Sequence, residues 1–186
     1  MAYSYSFFKD EVCNYLKEKF TDNARVLDVG AGEGTYYNYL GDYFKVMDAV
    51  EVFKPNIDNY DLANKYHNVY NIDIKDFQHD YYDIIIFGDI IEHLDVKDAQ
   101  NVLKYAYKMC DEMIVAVPYE LEQGIEEDNI YEIHKQPDLT PEIMLERYPM
   151  LKLLYKNDLY GYYVKDENYE DAWYNNTLLQ NIGTNN

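Results

Sequence analysis

Residues 26–35 read Val-Leu-Asp-Val-Gly-Ala-Gly-Glu-Gly-Thr, and this segment decides the fold class of the chain. An apolar strand over 25–29 runs into a glycine cluster, and a helix is predicted to follow over 35–40. The chain has only eight glycines, and three of them stand in this cluster, at Gly30, Gly32 and Gly34. Glycines let the backbone pass close to a ligand at the carboxyl edge of a sheet, where open α/β folds bind their ligands. The segment therefore predicts a ligand-binding turn.

The spacing of these glycines excludes two common phosphate-binding motifs. A dinucleotide fingerprint has the form G-x-G-x-x-G, and its third glycine would fall at Thr35. The pattern here is G-x-G-x-G, and Asp28 stands two positions before the first glycine, where dinucleotide sites usually carry an apolar residue. The chain also has no G-x-x-x-x-G-K-S/T phosphate loop. Nucleotide-linked oxidoreduction is therefore disfavoured.

Outward from the turn, apolar runs alternate with amphipathic segments from residue 24 to about 165, which is typical of strand–helix units and a mostly parallel sheet. Strands are predicted at 25–29, 45–50, 68–72, 82–87, 112–117, 151–156 and 159–164, the last two as a hairpin. Helices are predicted at 6–20, with Ser4 or Ser6 as cap, at 35–40 and at 55–66. A further helix is predicted after Asp95, with Asp98 in a capping-box position. The last helix is predicted after Thr140-Pro141.

The length of the chain fits one domain. The 186 residues are expected to form an N-terminal helix over 1–20, a core over 21–165 and a polar tail over 166–186. Residues 119–138 form a long polar loop, and such loops are more often functional than idle. Cys13 and Cys110 lie far apart in predicted helices, which indicates reduced, semi-buried thiols and no disulfide framework.

The charge of the chain limits its partners. The sequence contains 35 acidic and 16 basic residues, which gives a formal net charge of −19. Such a body repels phosphate backbones and anionic membrane surfaces, so neither a nucleic acid nor a membrane is expected as a partner. No apolar run has the length of a membrane span, and the first residues lack the pattern of a secretory signal. A cytoplasmic location is therefore expected.

The strand and glycine turn resemble the first motif of the class I S-adenosylmethionine-dependent methyltransferases, and acidic positions over residues 20–165 follow in the order of that family. The resemblance implies a Rossmann-like α/β fold. Its mostly parallel seven-stranded sheet would carry helices on both faces and a C-terminal antiparallel hairpin. The resemblance also implies S-adenosylmethionine as the cofactor and S-adenosylhomocysteine as its product. The expected activity is methyl transfer to an O or N atom of a small-molecule acceptor.

The acid after the second strand is the next match to the family. Asp28 and the glycine loop are implied to shape the cofactor turn. Glu51 ends the second predicted strand, nineteen residues after Gly32, and matches the acid that holds the ribose hydroxyls. A carboxylate suits two adjacent hydroxyls because it can accept a hydrogen bond from each. Asp48 is a rival for this role, but it lies inside the strand.

The remaining cofactor contacts follow the third and fourth strands. Asp73 and Ile74 match the acidic residue and backbone amide that bind the adenine edge, with Asp76 as a nearby rival. Gly88 matches the position whose backbone binds the methionine end. The full set of implied cofactor-binding residues is Asp28, Gly30, Ala31, Gly32, Gly34, Glu51, Val52, Asp73, Ile74 and Gly88.

A methyltransferase must also accept a proton when the acceptor is a hydroxyl or a protonated amine. The candidate catalytic residues are His134, His93 and, less directly, Asp89. His93 lies in the segment after the fourth strand, and its alternative role is packing or capping at a helix start. His134 lies in the 119–138 loop, where 131–134 is similar to a Tyr-Glu-x-His segment of many such methyltransferases. Its alternative role is a hydrogen bond within the loop.

Two other functions remain open. Asp89, Glu92 and His93 resemble the acid-x-x-Glu-His segment of metal-dependent relatives, which include RNA-end 2′-O-methyltransferases with a further histidine, here His134. Two carboxylates and an imidazole suit Mg²⁺ or Mn²⁺. The preferred interpretation assigns no metal, because those enzymes carry Glu at the first position and the charge disfavours RNA. The second alternative is a catalytically silent S-adenosylmethionine-binding protein. The sequence leaves the acceptor, the oligomeric state and a lid role for 119–138 open.

Overall fold

The computed structural model describes residues 5–78, 80–126 and 128–169. Within these ranges the chain forms one sheet, with strands β1 (Arg25–Val29), β2 (Val46–Val50), β3 (Asn68–Tyr70), β4 (Tyr82–Gly88), β5 (Cys110–Pro118), β6 (Leu151–Lys156) and β7 (Tyr160–Lys165). The α-helices there are α1 (Lys9–Lys19), α2 (Thr35–Leu40), α3 (Lys54–Asn59), α4 (Leu62–Lys65), α5 (Val96–Lys108) and α6 (Pro141–Arg147). Two 3-10 helices, η1 (Ile91–His93) and η2 (Ile130–Glu132), follow β4 and β5. No helix in the described part of the chain is long and apolar enough to cross a membrane.

The sheet has seven strands in the order β3-β2-β1-β4-β5-β7-β6. The first five of these strands run parallel, while β7 lies antiparallel to both β5 and β6. The predicted Rossmann-like fold and its C-terminal hairpin are therefore confirmed. The chain order reverses at β1, because β2 and β3 lie on one side of it and β4 and β5 on the other. Open α/β sheets bind their ligands at such a switch point, beyond the carboxyl ends of the strands.

Strand β4 separates two hydrophobic clusters. Ile84 and Ile86 pack in the cluster that includes side chains of α1 and α2. Ile85 and Phe87 pack in the other cluster, which includes side chains of α5 and α6. All four side chains are buried. A strand covered on both faces needs apolar residues at successive positions, which explains the continuous apolar run over 84–87.

The single helix predicted over 55–66 is wrong, because this segment forms two short helices, α3 and α4. They are separated at Asp61, whose φ of 53° lies in the left-handed region and interrupts the helix. Aspartate tolerates this conformation because its short polar side chain makes local hydrogen bonds. Here the Asp61 carboxylate accepts from the side-chain amide of Asn64 at 2.8 Å. Helix α3 begins at Lys54, so Pro55 is its second residue and not, as predicted, its first.

The predicted start of the first helix is also corrected. Helix α1 begins at Lys9, and the residue before it is Phe8, which has a left-handed φ of 56° and no capping side chain. The Phe8 ring stacks on Tyr155 with ring centroids 5.7 Å apart, so packing decides where the helix begins. Ser6 contributes only its backbone oxygen, which accepts from the Lys9 amide. Ser4 and residues 170–186 of the predicted tail lie outside the described residues.

The acidic caps predicted for α5 are absent, although the helix begins after Asp95 as expected. The Asp95 carboxylate lies 3.1 Å from the Lys135 ammonium, and Asp98 lies 3.8 Å from Lys75. Both acids therefore face lysines and not the helix end. The predicted cap of α6 is confirmed, since the Thr140 hydroxyl accepts from the backbone amide of Ile143 at 3.2 Å.

Both cysteines are buried, but only one lies in a helix. Cys13 is in α1, as predicted, while Cys110 is the first residue of β5. Burial raises the pKa of each thiol to about 12, so both remain protonated at neutral pH.

Candidate functional site

A cavity of about 400 Å³ opens at the carboxyl ends of the parallel strands, beside the switch point. Its wall is built from residues within 29–36, 50–56, 72–75, 88–94 and 118–135, with Tyr5 at one side. Of the ten residues predicted to contact a cofactor, eight lie in this wall, and Asp28 and Gly34 do not. The three predicted catalytic residues also lie in the wall, at Asp89, His93 and His134.

The glycine turn after β1 requires glycine for its conformation and for its space. Gly30, Gly32 and Gly34 have φ values of 68°, 54° and 83°, which L side chains rarely adopt. A Cβ on Gly30 would also lie 1.9 Å from Cδ1 of Ile90. The Gly30 amide donates to the carbonyl oxygen of Val50 at 2.8 Å, which ties the turn to the end of β2. This arrangement leaves bare backbone at one wall of the cavity.

Asp28 lies beneath the turn and not in the cavity wall. Its buried carboxylate accepts a hydrogen bond of 2.5 Å from the hydroxyl of Tyr66. Burial raises the pKa of Asp28 to about 7, and the hydrogen bond from Tyr66 opposes this rise. Asp28 therefore connects the end of β1 to Tyr66 through a buried hydrogen bond. Gly34 immediately precedes α2 and does not line the cavity.

Glu51 is the acid that β2 delivers to the cavity, and its side chain is only 4% exposed. One carboxylate oxygen accepts from the Gly32 amide and the other from the Phe53 amide, both at 2.8 Å. Burial raises the pKa of Glu51, while these backbone hydrogen bonds lower it. The rival Asp48 is buried in the sheet, where it accepts from the Tyr82 hydroxyl at 2.8 Å, and it does not reach the cavity.

Two asparagines beside Glu51 were missed by the sequence reasoning. Asn56 lies in the cavity wall, and its side chain hydrogen-bonds to Glu51. Asn71 donates from its side chain to the carbonyl oxygens of Glu51 and Val52, at 2.7 and 3.0 Å. It thereby fixes the backbone that follows β2. Only Asn56 had a sequence signal, namely its place next to Pro55 in the helix after Glu51.

The segment after β3 forms the wall opposite the glycine turn. Asp73 and Ile74 lie there, while the rival Asp76 does not. The Asp73 carboxylate accepts from the Lys75 backbone amide at 3.0 Å and lies 3.3 Å from the Lys75 ammonium. This end of the cavity therefore combines the apolar side chain of Ile74 with the carboxylate of Asp73, whose charge is balanced by the Lys75 ammonium.

The end of β4 also requires a glycine. A Cβ on Gly88 would lie 2.2 Å from the buried ring of Tyr36, a residue of the cavity wall that the sequence reasoning missed. Asp89 follows with a left-handed φ of 57°. Its carboxylate accepts a hydrogen bond of 2.6 Å from the hydroxyl of Tyr160, the first residue of β7. Asp89 is thus held toward the β7 side of the cavity.

His93 and His134, the two candidate bases, lie side by side. Their ring centroids are 4.8 Å apart, although the residues come from different connections. The Nδ1 atom of His93 faces the carbonyl oxygen of Ile133 at 3.3 Å, and that of His134 faces the carbonyl oxygen of Leu121 at 2.7 Å. A carbonyl oxygen can only accept, so Nδ1 of each ring carries a proton. Burial, with His134 adding to it, lowers the pKa of His93 to about 4.

Glu92 lies against this histidine pair and is 1% exposed. Neither of its carboxylate oxygens has a hydrogen-bond partner among the described residues. Burial raises the pKa of Glu92 well above its usual range, and the charge of Asp89 adds to the effect. One ligand atom from each of Glu92, His93 and His134 lies within 4.8 Å of the others. The group therefore contains Glu92, His93 and the further histidine His134 of the metal alternative, but not its first acid, Asp89.

The amide side chain of Gln136 joins the 119–138 loop to η1, and no sequence pattern marked it. The side chain is 2% exposed. Its nitrogen donates to the carbonyl oxygens of Ile91 and Leu94, at 2.8 and 3.0 Å. Its oxygen accepts from the Tyr148 hydroxyl at 2.8 Å and from Arg147 at 3.0 Å. Gln136 therefore holds the segment that carries His134 against the segment that carries His93.

The chain belongs to the methyltransferase domain family, whose model matches residues 3–117. The family predicted from the sequence is confirmed. No curated protein sequence matches the chain.

Solved structures of methyltransferases share the fold. An S-adenosylmethionine-dependent methyltransferase from Clostridium acetobutylicum ATCC 824 has 12% identity and a TM-score of 0.63, over 83% of this chain and 88% of that one. N-methyltransferase NodS from Bradyrhizobium japonicum WM9, in complex with S-adenosyl-L-homocysteine, has 13% identity and a TM-score of 0.61, over 87% and 89%. Magnesium protoporphyrin IX methyltransferase from Synechocystis PCC 6803, with bound S-adenosylmethionine, has 11% identity and a TM-score of 0.55, over 84% and 77%.

Proposed function

We propose that the chain is an S-adenosylmethionine-dependent methyltransferase that acts on an O or N atom of a small-molecule acceptor. The observation that carries this proposal is the convergence of the glycine turn, Glu51 and the histidine pair on one cavity at the switch point of the sheet. Membership of the methyltransferase domain family supports the activity. Neighbours of the same fold that were crystallised with S-adenosylmethionine or S-adenosylhomocysteine support the cofactor.

The residues of the cavity fit this cofactor. Each oxygen of Glu51 accepts one backbone hydrogen bond. The Asn56 side chain also hydrogen-bonds to Glu51, and a carboxylate has about four acceptor positions, so two ribose hydroxyls fit when one of them displaces Asn56. The turn at Gly30 and Gly32 exposes backbone at close range, and Ile74 offers an apolar surface for a base. The cavity of about 400 Å³ falls within the usual range of small-molecule sites.

The bound cofactor supplies a methyl group that is already activated by attachment to a sulfonium. The chain then has two tasks. Glu51, Asp73 and the backbone at Gly88 orient the cofactor, which aligns donor and acceptor for an in-line transfer. The imidazole of His93 or His134 accepts the proton of the acceptor group. A cytoplasmic location and the absence of nucleic-acid partners remain predictions from the charge of −19.

Titration with S-adenosylhomocysteine tests the proposal. Isothermal titration calorimetry is expected to give one site per chain, and the product is expected to raise the melting temperature. The absence of both heat and thermal shift would contradict the cofactor assignment. A screen of acceptors with labelled methyl donor then separates an enzyme from a silent binding protein, since only the enzyme gives a labelled product.

A divalent cation held by Glu92, His93 and His134 is a second candidate feature of this site. The observation in its favour is that one ligand atom from each of the three groups lies within 4.8 Å of the others. Two imidazoles and one carboxylate suit Mn²⁺, Fe²⁺ or Zn²⁺ better than Mg²⁺. Under this candidate, a chelator abolishes methyl transfer and added Mn²⁺ restores it. Activity that is indifferent to chelation would exclude a metal-dependent mechanism.

A further inference from the structure

Two large apolar residues in the cavity wall are exposed to solvent. Ile130 and Tyr131, both in η2, are 60% and 44% exposed, and both line the cavity. Three half-buried apolar residues of the same wall accompany them, namely Tyr5, Leu121 and Ile133. Apolar surface that stays exposed at a binding groove marks a contact with a ligand or a partner. Ile130 and Tyr131 therefore form an apolar pair at the cavity, in a loop that is otherwise rich in acidic residues.

Hydrogen bonds within the loop hold the backbone of the apolar pair. The buried side chain of Asn129 accepts from the Tyr131 backbone amide at 3.0 Å and donates to the Glu132 carboxylate at 3.1 Å. The Gln123 side chain donates to the carbonyl oxygen of Glu132 at 3.0 Å, and the Gln123 carbonyl oxygen accepts from the His134 amide at 3.0 Å. A ligand therefore meets an apolar surface that is already ordered, and this lowers the entropic cost of binding.

The apolar pair lies on the acceptor side of the cavity. The proposed cofactor contacts at Gly30, Glu51 and Gly88 lie at the ends of β1, β2 and β4. The apolar pair lies instead in the loop after β5, which also carries the candidate base His134. A general base must reach the atom that loses its proton, so the reacting group of the acceptor lies beside this histidine. The rest of the acceptor then contacts the neighbouring wall.

We propose, on the basis of the methyltransferase function above, that the acceptor carries a hydrophobic ring that packs against Ile130 and Tyr131. Burial of apolar surface is favourable, so these two side chains favour a hydrophobic ring over a polyhydroxylated ring of the same size. The Tyr131 ring also offers its face or edge to an aromatic acceptor. The hydroxyl or amine that receives the methyl group is the polar end of this molecule and points toward the histidine pair.

Binding of matched ligands tests the proposal without turnover. Calorimetry with saturating S-adenosylhomocysteine compares cyclohexanol with myo-inositol, which has the same ring covered by hydroxyls, and 2-naphthol with phenol. We expect the more hydrophobic member of each pair to bind about tenfold more tightly, because it buries more apolar surface. Equal affinities within either pair would overturn the proposal. If S-adenosylhomocysteine itself fails to bind, the proposed function fails; if it binds and the preference is absent, only the hydrophobic-acceptor proposal fails.

Two isoleucine variants of the same loop assign the preference to the apolar pair. Ile130→Ser is expected to weaken 2-naphthol binding at least fivefold and to change the affinity for S-adenosylhomocysteine by less than twofold. The matched control is Ile125→Ser, because Ile125 is also 60% exposed but lies outside the cavity wall. This control is expected to leave both affinities unchanged. Equal losses of 2-naphthol affinity in the two variants would overturn the proposal. An equal loss of S-adenosylhomocysteine affinity in Ile130→Ser would do the same, because the pair would then cover the cofactor.

A conservative substitution separates the ring of Tyr131 from its hydroxyl. Tyr131→Phe keeps the ring and is expected to bind 2-naphthol within a factor of two of the wild type. Tyr131→Ser removes the ring and is expected to lose at least fivefold in affinity. Equal losses in both variants would show that the hydroxyl binds the ligand, which contradicts a hydrophobic contact.

Two measurements on the ligand-free protein test other roles for the apolar pair. Substitutions of exposed residues change stability little, so the melting temperature of Ile130→Ser is expected to stay within about 3 °C of the wild type. A larger fall would show that Ile130 stabilises the fold and would contradict the proposal. Sedimentation velocity is expected to give the same state of association for both proteins. A wild-type dimer that dissociates in Ile130→Ser would make the pair an interface between copies of the chain and would overturn the proposal.

Discussion

Replacing Glu51 with alanine is expected to weaken the binding of S-adenosylhomocysteine about 100-fold. The variant removes the acceptor of two ribose hydroxyls, and each hydrogen bond to a charged group contributes about 1.5 kcal/mol. Their sum corresponds to about two decades in the dissociation constant. The loss of the hydrogen bond from the Gly32 amide also loosens the glycine turn. Calorimetry at constant pH measures the effect.

The matched control for this variant lies on the same strand. Asp48 is buried, as Glu51 is, but it accepts hydrogen bonds from Tyr82 and Asn68 inside the fold. Asp48→Asn keeps an acceptor for Tyr82 and is expected to leave the affinity for S-adenosylhomocysteine within a factor of two. A Glu51→Ala variant that also binds within a factor of three of the wild type would remove Glu51 from the site.

Replacing Gln136 with leucine is expected to lower the free energy of unfolding by about 3 kcal/mol. Leucine has a similar size but removes the partner of the Leu94 carbonyl oxygen and of the Tyr148 hydroxyl, and it leaves the Ile91 carbonyl oxygen with only the Leu94 amide. Each buried polar group left unsatisfied costs about 1–3 kcal/mol, and partial access of water reduces the sum. Urea unfolding followed by tyrosine fluorescence measures the change.

Gln100 offers a comparison for Gln136. Its side-chain nitrogen donates to the carbonyl oxygen of Arg147 at 3.1 Å, at a half-buried position. Gln100→Leu is expected to cost less than about 1 kcal/mol. Equal losses in the two variants would mean that the four contacts of Gln136 do not act as a buried anchor between the loop and η1.

The sequence predicted the elements whose signal is local. The apolar strand before the glycine turn and the continuous apolar run over 84–87 each indicate burial directly through side-chain type. Glu51 was found because its distance from Gly32 along the chain is set by one strand–helix–strand unit. The pair Thr140-Pro141 predicted the start of α6, because threonine caps helices and proline is favoured at the first helical position.

The sequence could not predict contacts between polar side chains that are far apart in the chain. Tyr160 and Asp89 are 71 residues apart, and Gln136 is 45 residues from Ile91. Such contacts depend on the final packing of two loops and leave no periodic pattern. The same limit explains why His93 and His134 were rival candidates in the sequence but form one pair in the fold.

The attachment of the 119–138 loop to η1 has a consequence for how ligands associate. The backbone amides of Lys135 and Gln136 both donate to the carbonyl oxygen of Glu92, so the wall with His134 is held by hydrogen bonds that require no ligand. The conformational entropy of this wall is therefore lost when the chain folds and not when a ligand binds. A preorganised wall leaves more of the interaction energy for affinity. The binding surface around His134 is therefore formed before either ligand arrives.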